Sequence, residues 1–208
     1  MRKLIFLGVL LLSVVSCKKD AIDFTLKGKI TDATFGGGLE GATVTLTEVP
    51  VGSGVQKVVG SATLSADGTY SFTFLREKAE KYVLKVTKTN YFTVESDILF
   101  SEFSPESDLV KDYSTTAKSW VKLRFVNQAP ATAFDALKFN KVSGKSDCLE
   151  CCANNDHMLY GVVDTTFFCV NDANTTYSYY YLVEGTTNQG IESVVTTPFD
   201  TVTITKSY

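Results

Sequence analysis

A chain of 208 residues is long enough for one or two domains, and its 44% hydrophobic, 12% aromatic and 21% charged residues exclude a disordered, collagenous or coiled-coil protein. Twenty basic against 23 acidic residues leave a net charge of −3, a mildly acidic balance that argues against a nucleic-acid partner. With His157 as the single histidine, His-rich metal sites and a Ser-His-Asp arrangement are poorly served.

The chain opens on Arg2 and Lys3, an apolar run from Leu4 to Leu12, and Ser13-Val14-Val15-Ser16 ahead of Cys17. This pattern predicts a cleaved secretory signal over residues 1–16. The run falls short of the about 20 apolar residues of a membrane span and meets Cys17-Lys18-Lys19-Asp20 instead of a stop-transfer pattern. Val14-Val15-Ser16-Cys17 resembles the bacterial lipobox, which implies a lipoprotein whose mature chain begins at a diacylglycerol-bearing Cys17 with residues 17–22 as tether. Losing Arg2 and Lys3 takes the net charge to −5. Two or three acyl chains, at about 0.8 kcal/mol per buried CH₂, anchor stably where a single myristoyl chain does not. An ordinary cleaved signal with an incidental cysteine is the alternative. Cys17-Lys18-Lys19-Asp20 also resembles lipoprotein starts from Bacteroidota, which implies an envelope location at the outer membrane with display on the cell surface.

From Phe24 to about Asp97 apolar and polar residues alternate with period two, as half-buried strands require. Ala42, Val44 and Leu46 fall on one face, as do Tyr70, Phe72 and Phe74, and then Tyr82, Leu84 and Val86. Gly36-Gly37-Gly38, Gly52-Ser53-Gly54 and Asp67-Gly68 separate the rows, and Asp67-Gly68 predicts a hairpin because Gly accepts the positive φ of such a turn. Four blocks carry a resemblance: Phe24 to Asp32; Leu39-Glu40-Gly41-Ala42-Thr43-Val44-Thr45-Leu46; Thr63 to Phe72 around Asp67-Gly68; and Tyr82 to Val86 followed by Asn90-Tyr91. In that order and spacing they resemble the carboxypeptidase regulatory-like domain, which implies a transthyretin-like seven-stranded sandwich over residues 23–112, an accessory module without the zinc ligands of the enzymes that carry it. Asn90 stands where that domain has glycine, and asparagine is the non-glycine residue most at home in the left-handed region.

Residues 101–116 turn polar and read either as a linker or as the last loop of the first domain, with the boundary placed between 112 and 113. A second series of strands is predicted at Trp120–Val126, Ala136–Phe139, Leu159–Val163, Thr165–Val170, Tyr177–Val183, Ser193–Thr197 and Thr201–Thr205. The expected fold is therefore all-β, two consecutive antiparallel β-sandwich domains after a cleaved lipoprotein signal peptide, the second over residues 113–208.

With Cys17 taken by lipid, Cys148, Cys151, Cys152 and Cys169 remain, an even number in an exported chain, and predict two disulfides. A vicinal Cys151-Cys152 bridge is strained, which leaves Cys148–Cys151 with Cys152–Cys169, or Cys148–Cys152 with Cys151–Cys169. Either ties the Ser143–Met158 loop to the strand at Cys169. Zinc on these thiols is the competing chemistry, but structural zinc pairs two separated C-x₂-C knuckles and the chain offers one cluster and a lone cysteine. His157, in Asn154-Asn155-Asp156-His157, is expected in an exposed polar loop with no catalytic partner. Carboxylates such as Glu77, Glu80, Asp97, Glu102 and Glu106 lie in solvated stretches without an acid–base pair, and the Asn/Asp-rich loops fit Asx turns better than a calcium loop. No cofactor is expected and no enzymatic activity is assigned.

Tyr177, Tyr179, Tyr180 and Tyr181 crowd one strand and Trp120 opens another, so these five are the candidate ligand-binding side chains, able to stack on sugar rings. Alternating tyrosines also fit a core face. The expected role is a non-catalytic extracytoplasmic binding module with a glycan partner held by these rings or by the loops at Ser143–Met158 and Asn171–Thr176. The alternative is an assembly partner of an outer-membrane complex, docking through edge strands or the apolar loop around Phe100 and Phe103.

Overall fold

A computed structural model describes residues 22–52 and 55–208. The leader, Cys17 and the tether through Ala21 lie outside the described residues, and so do the expectations placed on them. The first sandwich contains β1 (Asp23–Asp32), β2 (Thr43–Pro50), β3 (Lys57–Thr63), β4 (Thr69–Leu75), β5 (Ala79–Thr87), β6 (Val94–Leu99), β7 (Leu109–Val110) and β8 (Tyr113–Thr115). The second contains β9 (Lys118–Val126), β10 (Ala136–Ser143), β11 (His157–Tyr160), β12 (Asp164–Asp172), β13 (Thr176–Val183), β14 (Gln189–Val195) and β15 (Thr201–Ser207). Two 3₁₀ turns, Phe100–Glu102 and Leu149–Cys151, are the only helical segments among the described residues, and none is long and apolar enough to cross a membrane.

In the first sandwich β4-β1-β7, with β8 also on β1, faces β3-β2-β5-β6; in the second β11-β10-β13-β14 faces β12-β9-β15. The ladders are antiparallel except that β7 and β8 join β1, and β15 joins β9, in parallel. Period-two patterning aims one set of side chains inward from each sheet. Leu26, Val44, Leu46, Tyr82 and Leu84 are fully buried in one core, and Val121, Phe125, Leu137 and Tyr179 in the other.

Several boundaries differ from the sequence reading. Asp67-Gly68 does not close a hairpin, because β3 pairs with β2 and β4 with β1, so the turn arches from one sheet to the other. Gly68 is required there for two reasons: its φ is +73°, and a Cβ would fall 2.3 Å from the Ile30 carbonyl oxygen. Tyr113–Thr115 belong to the first sandwich as β8, so the crossing to the second lies at Thr116-Ala117 and not between 112 and 113. The polar stretch before it is the last loop of the first sandwich. Phe103, expected on a docking loop, is buried against Phe24 and Tyr82, and Phe100 packs edge-on against Phe24. The strand expected at Leu159–Val163 stops at Tyr160 because Gly161 turns with φ +73°, and the one expected at Ser193–Thr197 lies earlier, at Gln189–Val195. Asn90 adopts φ +62°, as the turn demands.

The crossing segment is bonded from both sides. The Ala117 amide donates to Thr34 Oγ1 of the first sandwich at 2.8 Å, while its carbonyl accepts from the Ala173 amide of the second at 3.0 Å. The Lys118 amide donates back to the Asn90 carbonyl at 2.7 Å, and its carbonyl accepts from the Phe199 amide at 2.9 Å. The Thr116 hydroxyl donates to Asp172. Phe199 stacks on Phe35 and packs on Tyr91. To do so it holds φ at +63°, a conformation that costs a non-glycine residue about 1–2 kcal/mol. Beneath these rings the Tyr91 hydroxyl donates to buried Asp32 at 2.6 Å, and the same carboxylate caps the Thr34 and Phe35 amides.

Replacing Tyr91 by Phe leaves Asp32 one donor short, and is expected to lower stability by about 1–3 kcal/mol in a urea titration. Burial also pushes the Tyr82 and Tyr177 phenols up to about 12 from an ordinary value of 10.0. The unfolded chain therefore loses these protons first, and their contribution to stability, complete below pH 10, is expected to decline between about pH 10 and pH 12. Tyrosinate absorbance recorded alongside circular dichroism checks this: the buried phenols should ionise with unfolding and not before it.

Candidate functional site

β13 carries four of the five aromatic candidates. Tyr177, Tyr179 and Tyr181 point into the core, where Tyr179 meets Phe125 and Phe139 edge-on. Their rings are thus packing, not platform, which corrects their place among the ligand-binding candidates. Tyr180 has the opposite phase and lies on the outer face of the β11-β10-β13-β14 sheet, half-buried, with its hydroxyl donating to Gln189 at 2.7 Å. Trp120, half-buried, lies on the outer face of the other sheet. The two remaining candidates face away from each other across the sandwich and form no common surface. Phe168 lies on the same sheet face as Trp120: it pairs with Lys122 of β9, two residues from the Val170–Trp120 pair, and is 63% exposed. The doublet Phe167-Phe168 contained this signal, since successive strand residues cannot both face the core.

The two loops proposed to hold a ligand turn toward the first sandwich. Asn171, near the end of β12, is fully buried; its side chain accepts from the Lys145 amide and donates to Thr175. Neighbouring Ala173 packs in the core of the first sandwich. The cysteine loop is held by Cys148–Cys151, with Cα atoms 5.2 Å apart, and Cys152–Cys169, 5.3 Å apart. The second bridge ties the loop to β12.

A buried lysine organises this loop. On β10, Leu137, Phe139 and Lys141 share the inward phase, and the Lys141 ammonium donates to the carbonyls of Lys145, Cys151 and Cys152 at 2.7, 2.9 and 2.6 Å. All three of its protons are used. Burial holds its pKa below the ordinary lysine value. The sequence reading passed over Lys141, although its phase, in register with Leu137 and Phe139, marked it as a polar residue on the core face.

Behind the loop is an apolar cavity of about 120 Å³ between Leu123, Phe139, Phe167 and the Cys152–Cys169 bridge. His157 lies on its rim, the first residue of β11 and not in an exposed loop; its imidazole stacks on Phe139 with centroids 4.9 Å apart. On the outer side of the loop, Lys145 lies 4.2 Å over the Phe92 ring of the first sandwich and bonds Asp172, while Lys118 pairs with Glu150. This staple therefore braces the junction.

The opposite end of the second sandwich is more exposed. There Phe134, Tyr160 and Val162 are 95%, 68% and 76% exposed. Asn127 fastens their loops together by donating to Asp135 at 2.9 Å and to the Gly161 carbonyl at 2.8 Å. Asp135 also accepts from the Thr132 amide and hydroxyl, and these bonds hold its carboxyl below the ordinary aspartate range. Exposed apolar side chains on loops so well fixed form a surface suited to contact rather than to chemistry.

No family model and no curated protein matches the chain. Among solved structures, a streptococcal ancillary pilin aligns at 13% identity and a TM-score of 0.40, over 90% of this chain and 63% of that one. The minor pilin GBS52 of Streptococcus agalactiae aligns at 13% and 0.36, over 88% of this chain and 94% of its own. The TIE protein of Bacillus anthracis aligns at 12% and 0.39, over 89% and 34%. The chain spans less than two thirds of the first and third of these proteins, and likeness at this level carries no functional argument.

Breaking the long bridge with Cys152→Ser and Cys169→Ser together is expected to cost about 3 kcal/mol, the value for a loop of this length. Lys141→Met leaves three loop carbonyls without their donor and is expected to cost about 1–3 kcal/mol. Thermal melts of both variants with intact-mass spectrometry check this, and the wild-type chain should gain four hydrogens on reduction, two for each bridge.

Proposed function

We propose that the chain is a non-catalytic lipoprotein of the cell envelope, anchored through an acylated Cys17. The first sandwich, read as a carboxypeptidase regulatory-like accessory domain, is its stalk, and the second presents a protein-docking tip to an envelope assembly. The observation that carries this reading is the polarity of the fold. β1 leaves the tether at Asp23 and reaches the junction at Asp32, and β9 leaves the junction at Lys118 and reaches the tip loops at Val126. At about 3.3 Å per residue each strand covers about 30 Å. The Phe134, Tyr160 and Val162 loops therefore occupy the end of the molecule opposite the anchor. Two disulfides fit an exported chain, since such bridges persist in oxidising compartments.

A polysaccharide partner is the second reading, favoured by Trp120 and Phe168 on one open sheet face beside Thr201 and Thr203 of β15. The two readings separate cleanly by mutation. Under the assembly reading, Phe134→Ser with Tyr160→Ser abolishes recovery of a defined partner from crosslinked envelopes and leaves the melting temperature unchanged. Under the glycan reading that pair has no effect, and Trp120→Ala with Phe168→Ala abolishes retention on a polysaccharide array. The anchor has its own test: wild type incorporates a clickable palmitate analogue and sediments with membranes, and Cys17→Ser does neither.

A further inference from the structure

We infer that the anchor-side pole of the first sandwich rests on the lipid bilayer as a second, non-covalent membrane contact, so that the stalk stands on the membrane instead of swinging from its tether. The inference deepens the lipoprotein reading and rests on acylation of Cys17.

Exposed apolar side chains gather at this pole. Among the described residues, eight large ones are exposed in the first sandwich. Phe35 belongs to the junction and Val110 to the β7 edge; the other six, Ile22, Val51, Val55, Val58, Leu75 and Leu99, gather at one pole. The registers place them there. Leu75 pairs with Asp23 at the start of β1, Leu99 with Lys81 near the start of β5, and Pro50, next to Val51, with Ala79. Ile22 is fixed at the same pole by its carbonyl, which accepts from the Arg76 amide at 2.8 Å. Leu75 and Leu99 come from opposite sheets, so the apolar groups encircle the pole and do not mark a sheet edge that another strand could extend.

A short length of chain separates the lipid from this pole. Only Lys18 to Ala21 separate Cys17 from Ile22, a reach of at most about 18 Å when fully extended. The polar layer of each leaflet is about 5–8 Å thick. A lipid on Cys17 therefore keeps the apolar rim within a short distance of the interface, where inserting it removes apolar surface from water. Charges of both signs lie at the pole: Lys57 pairs with Glu77 and Lys81 with Asp97, Arg76 lies over Phe24 and Phe100, and Lys78 stands among Asp23 and Glu80. The contact is thus hydrophobic, and high salt should not release it.

The test places a fluorophore at the pole. Trp120, the single tryptophan, lies at the junction and serves as the remote control. The full acylated chain is reconstituted into phosphatidylcholine vesicles with bromine on the acyl chains, as wild type and as Leu99→Trp or Leu75→Trp in a Trp120→Phe background. Because Leu99 and Leu75 are both 55% exposed, each site accepts the ring without disturbing a core. The expected result is loss of emission at positions 99 and 75, unchanged in high salt, with emission from Trp120 unaffected. Vesicles that float with the protein while positions 99 and 75 stay unquenched would overturn the docking and leave the lipid anchor standing. Protein that fails to float would remove the anchor and the docking together.

Discussion

The structure depends on the bonding of three residues, Thr116, Ala117 and Lys118, where the chain passes from one sandwich to the other. A linker buried between two bodies must satisfy its backbone groups or lose the cost of each orphan. Here the Ala117 amide is taken by Thr34 and its carbonyl by Ala173, and Lys118 is divided in the same way between Asn90 and Phe199. A flexible tether would have left these groups to water and the two sandwiches free to hinge. Because they are bonded across the boundary, the direction of β1 and the direction of β9 become properties of one molecule, and its two ends acquire distinct identities.

Much of the polar chemistry is spent on the junction. Buried Asp32 fixes the first sandwich's loop there, buried Asn171 and the Lys145–Asp172 pair fix those of the second, and Thr116–Asp172 and Lys145 over Phe92 join the two. The Lys141 ammonium holds the cysteine loop to β10 and the Cys152–Cys169 bridge holds it to β12, and from there Lys145 and Glu150 reach the junction. A titratable group with every proton spent on a carbonyl is a structural fastener, and Lys141 has that form. Among the exposed apolar side chains, Phe134 and Tyr160 mark one end and Leu75 and Leu99 the other.

Much of the core was legible because it rests on period two. The rows Ala42-Val44-Leu46, Tyr70-Phe72-Phe74 and Tyr82-Leu84-Val86 have one inward face each, and the folded chain buries that face, with only Phe74 left partly covered. Sheet partnership was not legible, since nothing local to Asp67-Gly68 distinguishes a hairpin from an arch between sheets; Gly68 is decided by the Ile30 backbone nearly forty residues earlier in the chain. The aromatic candidates failed for a related reason. Composition shows that Tyr177, Tyr179, Tyr180 and Tyr181 are together, but phase relative to the core divides them, three inward and one outward. Phase also held the information that was passed over, in Lys141 on the inward row and Phe168 on the outward one. Burial by a distant element, as at Phe103, leaves no mark in the local pattern.

The central claim, that a bonded crossing makes one body of two sandwiches, is tested most directly by amide hydrogen exchange at Ala117, Lys118, Ala173 and Phe199. These four amides donate across or along the junction and belong to no continuous ladder except at Lys118, where β9 begins. The account predicts that Ala117 and Lys118 exchange as slowly as the central amides of β9, because their bonds to Thr34 and Asn90 open only when the sandwiches separate, with Ala173 and Phe199 protected beside them. Exchange at the rate of exposed loop amides, with β9 itself still protected, would show that the crossing hinges freely and would contradict it.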